Sequence, residues 1–412
     1  MESTQPGPVR QSEITKIHDL AAVDHESVIS LIQELVRIPT RGGIDSYDDI
    51  IDHVSRWLSD HGLDTQLLHE RNTGRALALV CDIAGDHPGP RYVLDACLDT
   101  APFGDVSAWR HAPTSATIDN GWLYGRGSAD SKAAIAIFMH IARHLRKQTA
   151  RLHGTLTLLF DADEHTGHFG GAKQYFADKA AGDIGGVMIG YPGSDELVIG
   201  GRGFLRARIT VRGQAGHTGS QRATDNINAI EKATELVMVL AEHRLPGPID
   251  ERLGLPPKLT VTAITGGESY SIIPDRCTIG VDVRLTTTFH EALGKKLIEE
   301  AVVEIDKRWP VSDKPIEIEY QEFWPAYRLN DNAPIRVALT RAAEHHLDNK
   351  LTAKVAGPSN IGNYLAKMGI DSTAGLGVNY QGLHGTDERI ELATISAIQA
   401  TYHEAALLLL SP

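Results

Sequence analysis

The sequence predicts an α/β protein in which a mostly parallel sheet forms one domain and a smaller ferredoxin-like α+β domain is inserted into it as a lid. At 412 residues the chain is long for one hydrophobic core, so two domains are expected. From about residue 26, amphipathic helices alternate with short apolar runs, which is typical of a parallel sheet covered by helices. Near Gly201 the pattern changes to strands of alternating polar and apolar residues, which indicates a separate α+β domain.

The elements of the first domain follow from the hydrophobic period and from the residues that end each run. Two segments with helical period end at Pro39 and Gly62, namely "ESVISLIQELVRIP" and "DDIIDHVSRWLSDHG". "SKAAIAIFMHIARHLRK" predicts a long helix between strands. Short apolar runs followed by turn residues predict buried strands in "ALALVCDIAG", "RYVLDACLD" and "HGTLTLLFDAD". Late in the chain, "APIRVALTRAAEHHL" and "ATISAIQATYHEAALLLL" predict helices that return to this domain.

The inserted domain has its own order of elements. Strand and helix patterns alternate as "GFLRARITVRG", "NINAIEKATELVMVLAEHRL", "KLTVTAIT", "RCTIGVDVRL", "HEALGKKLIEEAVVEID" and "IEIEYQEF". That succession is β-α-β-β-α-β, the ferredoxin-like order. The sequence therefore predicts a discontinuous first domain, 1–202 and 324–412, and a lid domain over 203–323.

Composition excludes several classes of function. The net charge of −13 argues against nucleic acid as a partner, because phosphate binding needs a basic surface. Three cysteines are too few and too scattered for a disulfide framework, which favours a reducing compartment. The first dozen residues form a Pro/Gly/Ser-rich arm without the apolar core of a signal peptide, and no run is long enough for a membrane span. We therefore expect a cytoplasmic protein whose partner is a small molecule, not a membrane.

The residues that could carry chemistry fall at strand ends or in the loops that follow strands. Ligands of open α/β sheets bind outside the carboxyl ends of the strands, so these positions are expected to lie together. Four clusters qualify: Cys97 with Asp99, Asp130 in "GRGSADSK", Glu164 with His165 in "DADEHTGH", and His384 in "GLHGTDE".

A resemblance to one family is carried by seven motifs that occur in the family's order. They are "RYVLDACLDTAP", the tryptophan of "SAWRHAP", "GWLYGRGSADSK", "DADEHTGHFGGA", "VRGQAGHTGS", "IIPDRCTIGVDVR" and "LHGTDE". From about residue 26 to the end, the chain resembles metallopeptidase family 20, which includes acetylornithine deacetylase, succinyl-diaminopimelate desuccinylase, aminoacylase and glutamate carboxypeptidase. The resemblance implies that the lid lies where this family has its dimerisation domain, and hence a homodimer or higher homo-oligomer through the lid.

Part of the family's two-metal site is present. The resemblance implies that Asp130 bridges the metals, that Glu164 is the general base and that His384 is the distal ligand. In the lid, His217 matches the histidine that steadies the developing oxyanion in the neighbouring subunit. Arg284 matches a position associated with substrate carboxylates, for which a guanidinium is well suited.

Three ligand positions depart from the family. Cys97 stands in place of a histidine, His165 in place of the second glutamate of a Glu-Glu pair, and Tyr191 in place of an acidic ligand. Cys97 is either a small buried apolar residue, which we favour, or a ligand. Tyr191 is either a packed aromatic or substrate hydrogen-bond donor, which we favour, or a phenolate ligand. Asp99, which in the family orients the first ligand, is retained as an outer-shell residue or possible ligand.

These changes predict one divalent ion per subunit, not two. Asp130, His165 and His384 form a three-ligand set with open positions, suited to Zn²⁺, Mn²⁺ or Fe²⁺. On the substrate side, Ser271 replaces the usual asparagine and Asn360 replaces the frequent aspartate. Specificity is therefore expected to have changed along with the metal site.

The resemblance implies a metal-dependent hydrolase that cleaves a C–N bond of a small acidic substrate with a metal-activated water. An N-acyl amino acid or dipeptide is one substrate class that stays open. The other is an aromatic amine, since a branch of this fold, 5-nitroanthranilate aminohydrolase, is similar in using one metal to replace an arylamine by hydroxyl. The second class is favoured by the positions that depart from the family, which are Cys97, His165, Tyr191, Ser271 and Asn360. An inactive scaffold or binding protein and a non-haem iron oxygenase are the alternatives from other classes. The retained Glu164 speaks against both.

Overall fold

The computed structural model describes residues 10–70, 72–177, 179, 181–220, 226–309 and 315–411, which form two compact units. The first comprises Met1–Ile199, Leu329–Lys354 and Met368–Pro412, and the second comprises Gly200–Arg328 and Val355–Lys367. Residues 355–367 were predicted to lie in the first domain and instead group with the second unit. One reason is Asn363, whose side-chain amide donates to the carbonyls of Gly201, Arg202 and Pro325 within that unit.

Helices and strands alternate along most of the described chain. The α-helices are α1 (Gln11–Arg37), α2 (Asp48–Asp60), α3 (Ala133–Leu145), α4 (Gly170–Ala177), α5 (Ala229–Glu242), α6 (Glu291–Arg308), α7 (Pro334–His346), α8 (Ile361–Lys367) and α9 (Ile395–Leu409). The strands up to the boundary of the second unit are β1 (Gln66–His69), β2 (Ala76–Ala84), β3 (His87–Cys97), β4 (Ile118–Asp119), β5 (Trp122–Tyr124), β6 (His153–Asp161), β7 (Ile184–Ile189) and β8 (Glu196–Gly201). The later strands are β9 (Gly203–Arg212), β10 (Gly216–His217), β11 (Lys258–Gly266), β12 (Ile272–Ile273), β13 (Arg276–Leu285), β14 (Glu317–Trp324), β15 (Tyr327–Arg328), β16 (Thr352–Ala356), β17 (Ser372–Ala374), β18 (Tyr380–Gln381) and β19 (Arg389–Glu391).

The main sheet of the first unit is mostly parallel at its centre, as predicted. Its strands follow the order β1-β2-β6-β3-β7-β17-β8. The pairs β6–β3, β3–β7 and β7–β17 are parallel, whereas the pairs towards either edge are antiparallel. A small antiparallel sheet, β18-β19-β5-β4, lies elsewhere in the same unit. The parallel centre brings the carboxyl ends of β3 and β6 to one edge, and this arrangement positions the candidate site.

Helix α1 begins much earlier than the sequence predicted. Regular structure was expected from about residue 26, whereas α1 begins at Gln11. Ile14, Ile17 and Ala21 continue the apolar stripe of the helix and are buried, so the early turns are stabilised by packing. Residues 1–9, which make up most of the predicted arm, lie outside the described residues.

The second unit has the predicted ferredoxin-like order. Its antiparallel sheet follows the order β11-β13-β9-β14, with α5 between β9 and β11 and α6 between β13 and β14. Alternate residues of β13 are buried, as expected for a strand with one face against helices. Its core includes Leu205, Ile209, Leu236, Ile279 and Ile298.

Two further expectations can be compared with the described residues. The three cysteines are free thiols, and all are buried. Among the helices of the described part of the chain, none is both long enough and apolar enough to span a bilayer.

Candidate metal centre

The candidate site lies in the first unit, at the edge where neighbouring parallel strands end. Cys97 is the last residue of β3, and its partner in the parallel register is Asp161, the last residue of β6. The loop after β3 carries Asp99, and the loop after β6 carries Glu164 and His165. Strand register therefore brings two of the four predicted clusters side by side.

The other two clusters reach the site from a turn and a loop. Asp130 lies in the irregular turn Ser128–Lys132 that precedes α3, and its own φ and ψ are not helical. His384 lies between β18 and β19, with a positive φ of 57°. The structure thus brings together residues that are far apart in sequence.

Asp130, His165 and His384 form a compact group. Nε2 of His384 lies 2.9 Å from Oδ2 of Asp130, and Nε2 of His165 lies 3.5 Å from the same oxygen. Each residue offers one ligand atom, and the three atoms lie within 4.8 Å of one another. Two ligands of a tetrahedral ion are about 3.4 Å apart when each is about 2.1 Å from the metal. The geometry therefore fits a shared divalent cation.

Asp99 holds the backbone of the loop that carries His165. Its Oδ1 accepts a hydrogen bond from the backbone N–H of Glu164 at 3.1 Å, and its Oδ2 accepts one from the backbone N–H of His165 at 2.9 Å. Nδ1 of His165 is buried and lies 3.6 Å from Oδ2 of Asp99, without a hydrogen-bond partner in the described part of the chain. Asp99 thus supports the Glu164–His165 segment, whereas the family pattern predicted support for the residue at position 97.

The electrostatics of this group favour a bound cation. Burial alone would raise the pKa of Asp130, but hydrogen bonds from His165 and His384 hold it well below its usual range. Burial lowers the pKa of His165, and the carboxylates of Asp130 and Asp99 more than reverse this and raise it to about 11. A positive charge is therefore stabilised between these carboxylates, and a divalent ion would replace the proton.

Glu164 lies beside the group. Burial, followed by the negative charge of Asp130, raises the pKa of Glu164 to about 7. Cys97, Asp130 and Glu164 also offer ligand atoms within 4.8 Å of one another, as do Cys97, Asp99 and His165. These two further groups both contain Cys97, and each shares one residue with the first group, Asp130 in one case and His165 in the other.

Cys97 and Tyr191 occupy the positions at which the family has two further ligands. Sγ of Cys97 lies 3.6 Å from Oδ1 of Asp130 and 3.5 Å from Oγ of Ser131, and its single S–H can donate to one of them at a time. Burial, together with the charges of Glu164 and Asp130, raises the thiol pKa well above its usual value. Burial and the same two charges also raise the pKa of the Tyr191 phenol. Without a cation beside them, both groups are therefore protonated at ordinary pH, and either would have to lose its proton to bind an ion.

The predicted lid residues all lie in the second unit. His217 in β10 pairs with Ile272 in β12, and the backbone N–H of Thr218 donates to the carbonyl of Ser271 at 3.0 Å. The structure thus brings His217 and Ser271 close together at an exposed edge.

Arg284 and Asn360 have partners of their own within the second unit. Nε of Arg284 lies 2.7 Å from Oδ1 of Asp282, and Nη1 donates to Ser359. Oδ1 of Asn360 accepts from the backbone N–H of Gly362 at 2.8 Å, which is how a residue caps the start of a helix. Substrate contacts by either residue stay a prediction.

Sequence reasoning missed three charged residues around the site. Lys132 is buried, donates from Nζ to the carbonyl of Ile38 at 2.7 Å, and has its pKa lowered to about 7 by burial. Arg126 and Glu388 form a buried ion pair beside Asp130. All three lie within motifs quoted above, but their pairing depends on contacts across long stretches of chain.

Comparison with known proteins gives a consistent result. Residues 93–408 match the family model for peptidase family M20/M25/M40. An M20 family metallo-carboxypeptidase from Sulfolobus solfataricus is 18% identical with a TM-score of 0.73, and the match covers 93% of this chain and 99% of that one. The aminopeptidase PepT from Bacillus cereus is 22% identical with a TM-score of 0.73 over 93% and 99% of the two chains. A dinuclear metal-binding peptidase of the M20 family from Bacillus subtilis is 16% identical with a TM-score of 0.67 over 94% and 99%. At these identities the solved structures show a shared fold.

Proposed function

We infer that this chain, which belongs to peptidase family M20/M25/M40, cleaves the C–N bond of a small acidic substrate at a single divalent ion. Membership makes it a metal-dependent hydrolase acting on C–N bonds. The single ion and the substrate are our proposals, and the convergence of Asp130, His165 and His384 is the observation that carries the assignment of the ion.

The three ligands leave room for water and substrate. One carboxylate and two imidazoles are a common ligand set for catalytic Zn²⁺ and also suit Mn²⁺ and Fe²⁺. When bound, such an ion lowers the pKa of a coordinated water and polarises the group under attack. Asp99 fixes the loop that carries His165, as outer-shell carboxylates do at metal sites.

Glu164 is the proposed general base. Glu164 lies in the loop that follows β6, is partly shielded from solvent, and is adjacent in sequence to the ligand His165. A base in this position would take a proton from the attacking water and deliver it to the departing nitrogen.

The proposal of one ion depends on Cys97 and Tyr191. Sγ of Cys97 lies within hydrogen-bonding reach of Asp130, and burial, followed by the charge of the same carboxylate, raises the pKa of the Tyr191 phenol. Mn²⁺ prefers carboxylate oxygens over a thiol, and Tyr191 would have to lose a proton to bind any of the three ions. The dinuclear state of the Bacillus subtilis peptidase is therefore not carried over to this chain.

For the substrate we favour hydrolytic deamination of an aromatic amine such as 5-nitroanthranilate. The changes at Cys97, His165 and Tyr191 alter the part of the site that a peptidase uses for its second ion. The competing substrate class is an N-acyl amino acid or dipeptide, and two dipeptidases of similar fold support it. The yeast dipeptidase Dug1p is 13% identical with a TM-score of 0.70. Human carnosine dipeptidase 1 is 14% identical with a TM-score of 0.67. A homodimer through the second unit, the catalytic role of His217 and a cytoplasmic location also stay predictions.

Metal content per subunit tests the proposal. Protein purified without chelator would be compared with His165→Ala, with Cys97→Ser, and with His168→Ala as a matched control whose side chain is 79% exposed. We expect one ion, lost in His165→Ala and retained in the other two variants.

Other outcomes would contradict this assignment. Two ions, one of them lost in Cys97→Ser, would indicate a dinuclear amidohydrolase. No ion, and none taken up on adding Zn²⁺ or Mn²⁺, would favour an inactive scaffold. The loaded protein would then be assayed for ammonia release from arylamines and for amine release from acyl amino acids and dipeptides, which separates the two substrate classes.

A further inference from the structure

A buried ion pair joins the two loops that present Asp130 and His384. Nη1 of Arg126 lies 2.5 Å from Oε2 of Glu388. Arg126 is 3% exposed and Glu388 is fully buried, although the two residues are far apart in sequence. An arginine and a glutamate are seldom buried this completely unless each has further partners.

The second oxygen of Glu388 is used by the loop of Asp130. Oε1 accepts from the backbone N–H groups of Gly127 at 2.9 Å, of Ala129 at 3.0 Å and, at 3.4 Å, of Asp130 itself. One carboxylate oxygen thus organises the irregular turn that aims the Asp130 side chain into the site.

A second nitrogen of the guanidinium, Nη2, binds the loop of His384. Nη2 donates to the backbone carbonyls of His384 at 3.1 Å and of Gly385 at 3.0 Å. The guanidinium lies over the Trp109 ring, 5.3 Å from its centroid, which restricts its motion. Because guanidinium donors form a rigid fork, the ion pair sets the spacing between the two loops.

This support matters most for His384. Its side chain is 50% exposed, whereas that of His165 is 7% exposed, so packing restrains His384 less. Its backbone also adopts a positive φ of 57°, which is uncommon for a residue other than glycine. The carbonyl that Arg126 binds belongs to this same residue.

We propose that Arg126 and Glu388 are positioning residues that set the distance between Asp130 and His384 and thereby the metal affinity of the site. This inference rests on the proposed function, because it takes both residues as ligands. Outer-shell partners of this kind are typically worth about 10–100-fold in metal affinity. A buried ion pair is by itself weak evidence of a contribution to stability, so the expected effect is on binding.

The test compares two Arg→Lys variants. Arg126→Lys keeps the charge beside Glu388 but removes the fork that reaches two carbonyls. The matched control is Arg143→Lys, since Arg143 pairs with the buried Asp24, whose other hydrogen-bonding partners are His144 and Gln399, outside the site. Zinc affinity would be measured by competition with a chromogenic chelator, and the visible spectrum of the Co²⁺-loaded protein would report ligand geometry.

We expect Arg126→Lys to bind Zn²⁺ about 10–100-fold more weakly with a changed Co²⁺ spectrum, and Arg143→Lys to bind within about twofold of the wild type. A folded Arg126→Lys variant with wild-type affinity and spectrum would overturn the inference. An equal loss in both variants would also overturn it, because it would indicate general destabilisation.

A second variant covers the case in which Arg126→Lys fails to fold. The double change Arg126→Met and Glu388→Gln removes both charges together, which is far less costly than leaving one of them unpaired. The glutamine oxygen still accepts from the Asp130 loop, but the His384 loop loses its donor. Weakened metal binding by this folded variant supports the inference, and unchanged binding overturns it.

Failure of the proposed function would look different. If Asp130→Asn and His384→Ala leave zinc affinity at the wild-type value, these residues are not ligands and the proposed function itself fails. If those two variants lose the ion while Arg126→Lys and the double variant retain it, the ligand assignment stands and only the positioning role is overturned.

Discussion

Replacing His403 with phenylalanine should reduce the loss of stability in acid. His403 lies in α9, is 1% exposed, and has its ring stacked on that of His144. Its Nε2 has no hydrogen-bond partner in the described part of the chain. Burial, followed by the positive charge of His144, lowers the pKa of His403 to about 3. Phenylalanine retains a buried ring but does not titrate.

The sign and size of the effect follow from the two states of the protein. In the unfolded chain a histidine has a pKa of about 6.5, so below that pH the unfolded state takes up a proton that folded His403 does not. The free energy of unfolding then falls by about 1.4 kcal/mol for each pH unit below about 6.5. The fall continues until the pH approaches the pKa of His403 in the folded protein. Between neutral pH and pH 5, His403 alone is therefore expected to cost the wild type about 2 kcal/mol.

The assay is urea unfolding followed by circular dichroism at pH 7.5 and pH 5.0, on the wild type and on His403→Phe. Any cost of fitting the larger ring is the same at both pH values. The quantity to compare is therefore the difference in unfolding free energy between the two proteins at pH 7.5 and at pH 5.0. We expect it to change by about 2 kcal/mol in favour of the variant at pH 5.0. His69→Gln, at an exposed position of β1, is the control and should show no such change. If the difference in unfolding free energy is the same at both pH values, the conclusion that His403 is buried in its neutral form is wrong.

Two further changes test the site and the second unit. Asp99→Asn keeps one acceptor for the two backbone N–H groups that Asp99 holds, so we expect about 10–100-fold weaker metal binding with little loss of fold. Unchanged affinity in a chelator competition would contradict the supporting role of Asp99. Lys232→Met leaves Asp306 without the buried ammonium that donates to it at 2.6 Å. We expect a loss of about 1–3 kcal/mol from the unfolding free energy of the second unit, and an unchanged urea midpoint would contradict this.

Much of the fold could be read from hydrophobic period and turn residues. The β-α-β-β-α-β order of the second unit appears in the structure as strands β9, β11, β13 and β14 with α5 and α6 between them. The start of α1 and the placement of residues 355–367 could not be read in this way. Ile14 and Ile17 have the helical period, but most of their neighbours in sequence are polar, so the local pattern is weak. These turns are stabilised by the packing of Ile14 and Ile17, both of which are buried in the structure. The segment 355–367 joins the second unit through hydrogen bonds of Asn363 to distant backbone carbonyls, which have no signal in the local sequence.

The sequence by itself determined which chemical groups were available: the retained acids and histidines, and the replacements at positions 97, 165 and 191. Strand patterns placed four clusters of candidate residues at strand ends, and the family resemblance implied that Asp130, His165 and His384 among them would meet. Only the tertiary structure decided how each is held. Asp99 supports the backbone of His165, the Cys97 thiol lies within hydrogen-bonding reach of Asp130, and Arg126 with Glu388 joins two loops. The physical reason is that side-chain identity fixes charge and donor type, whereas partners, burial and pKa depend on distances between segments that only folding brings together.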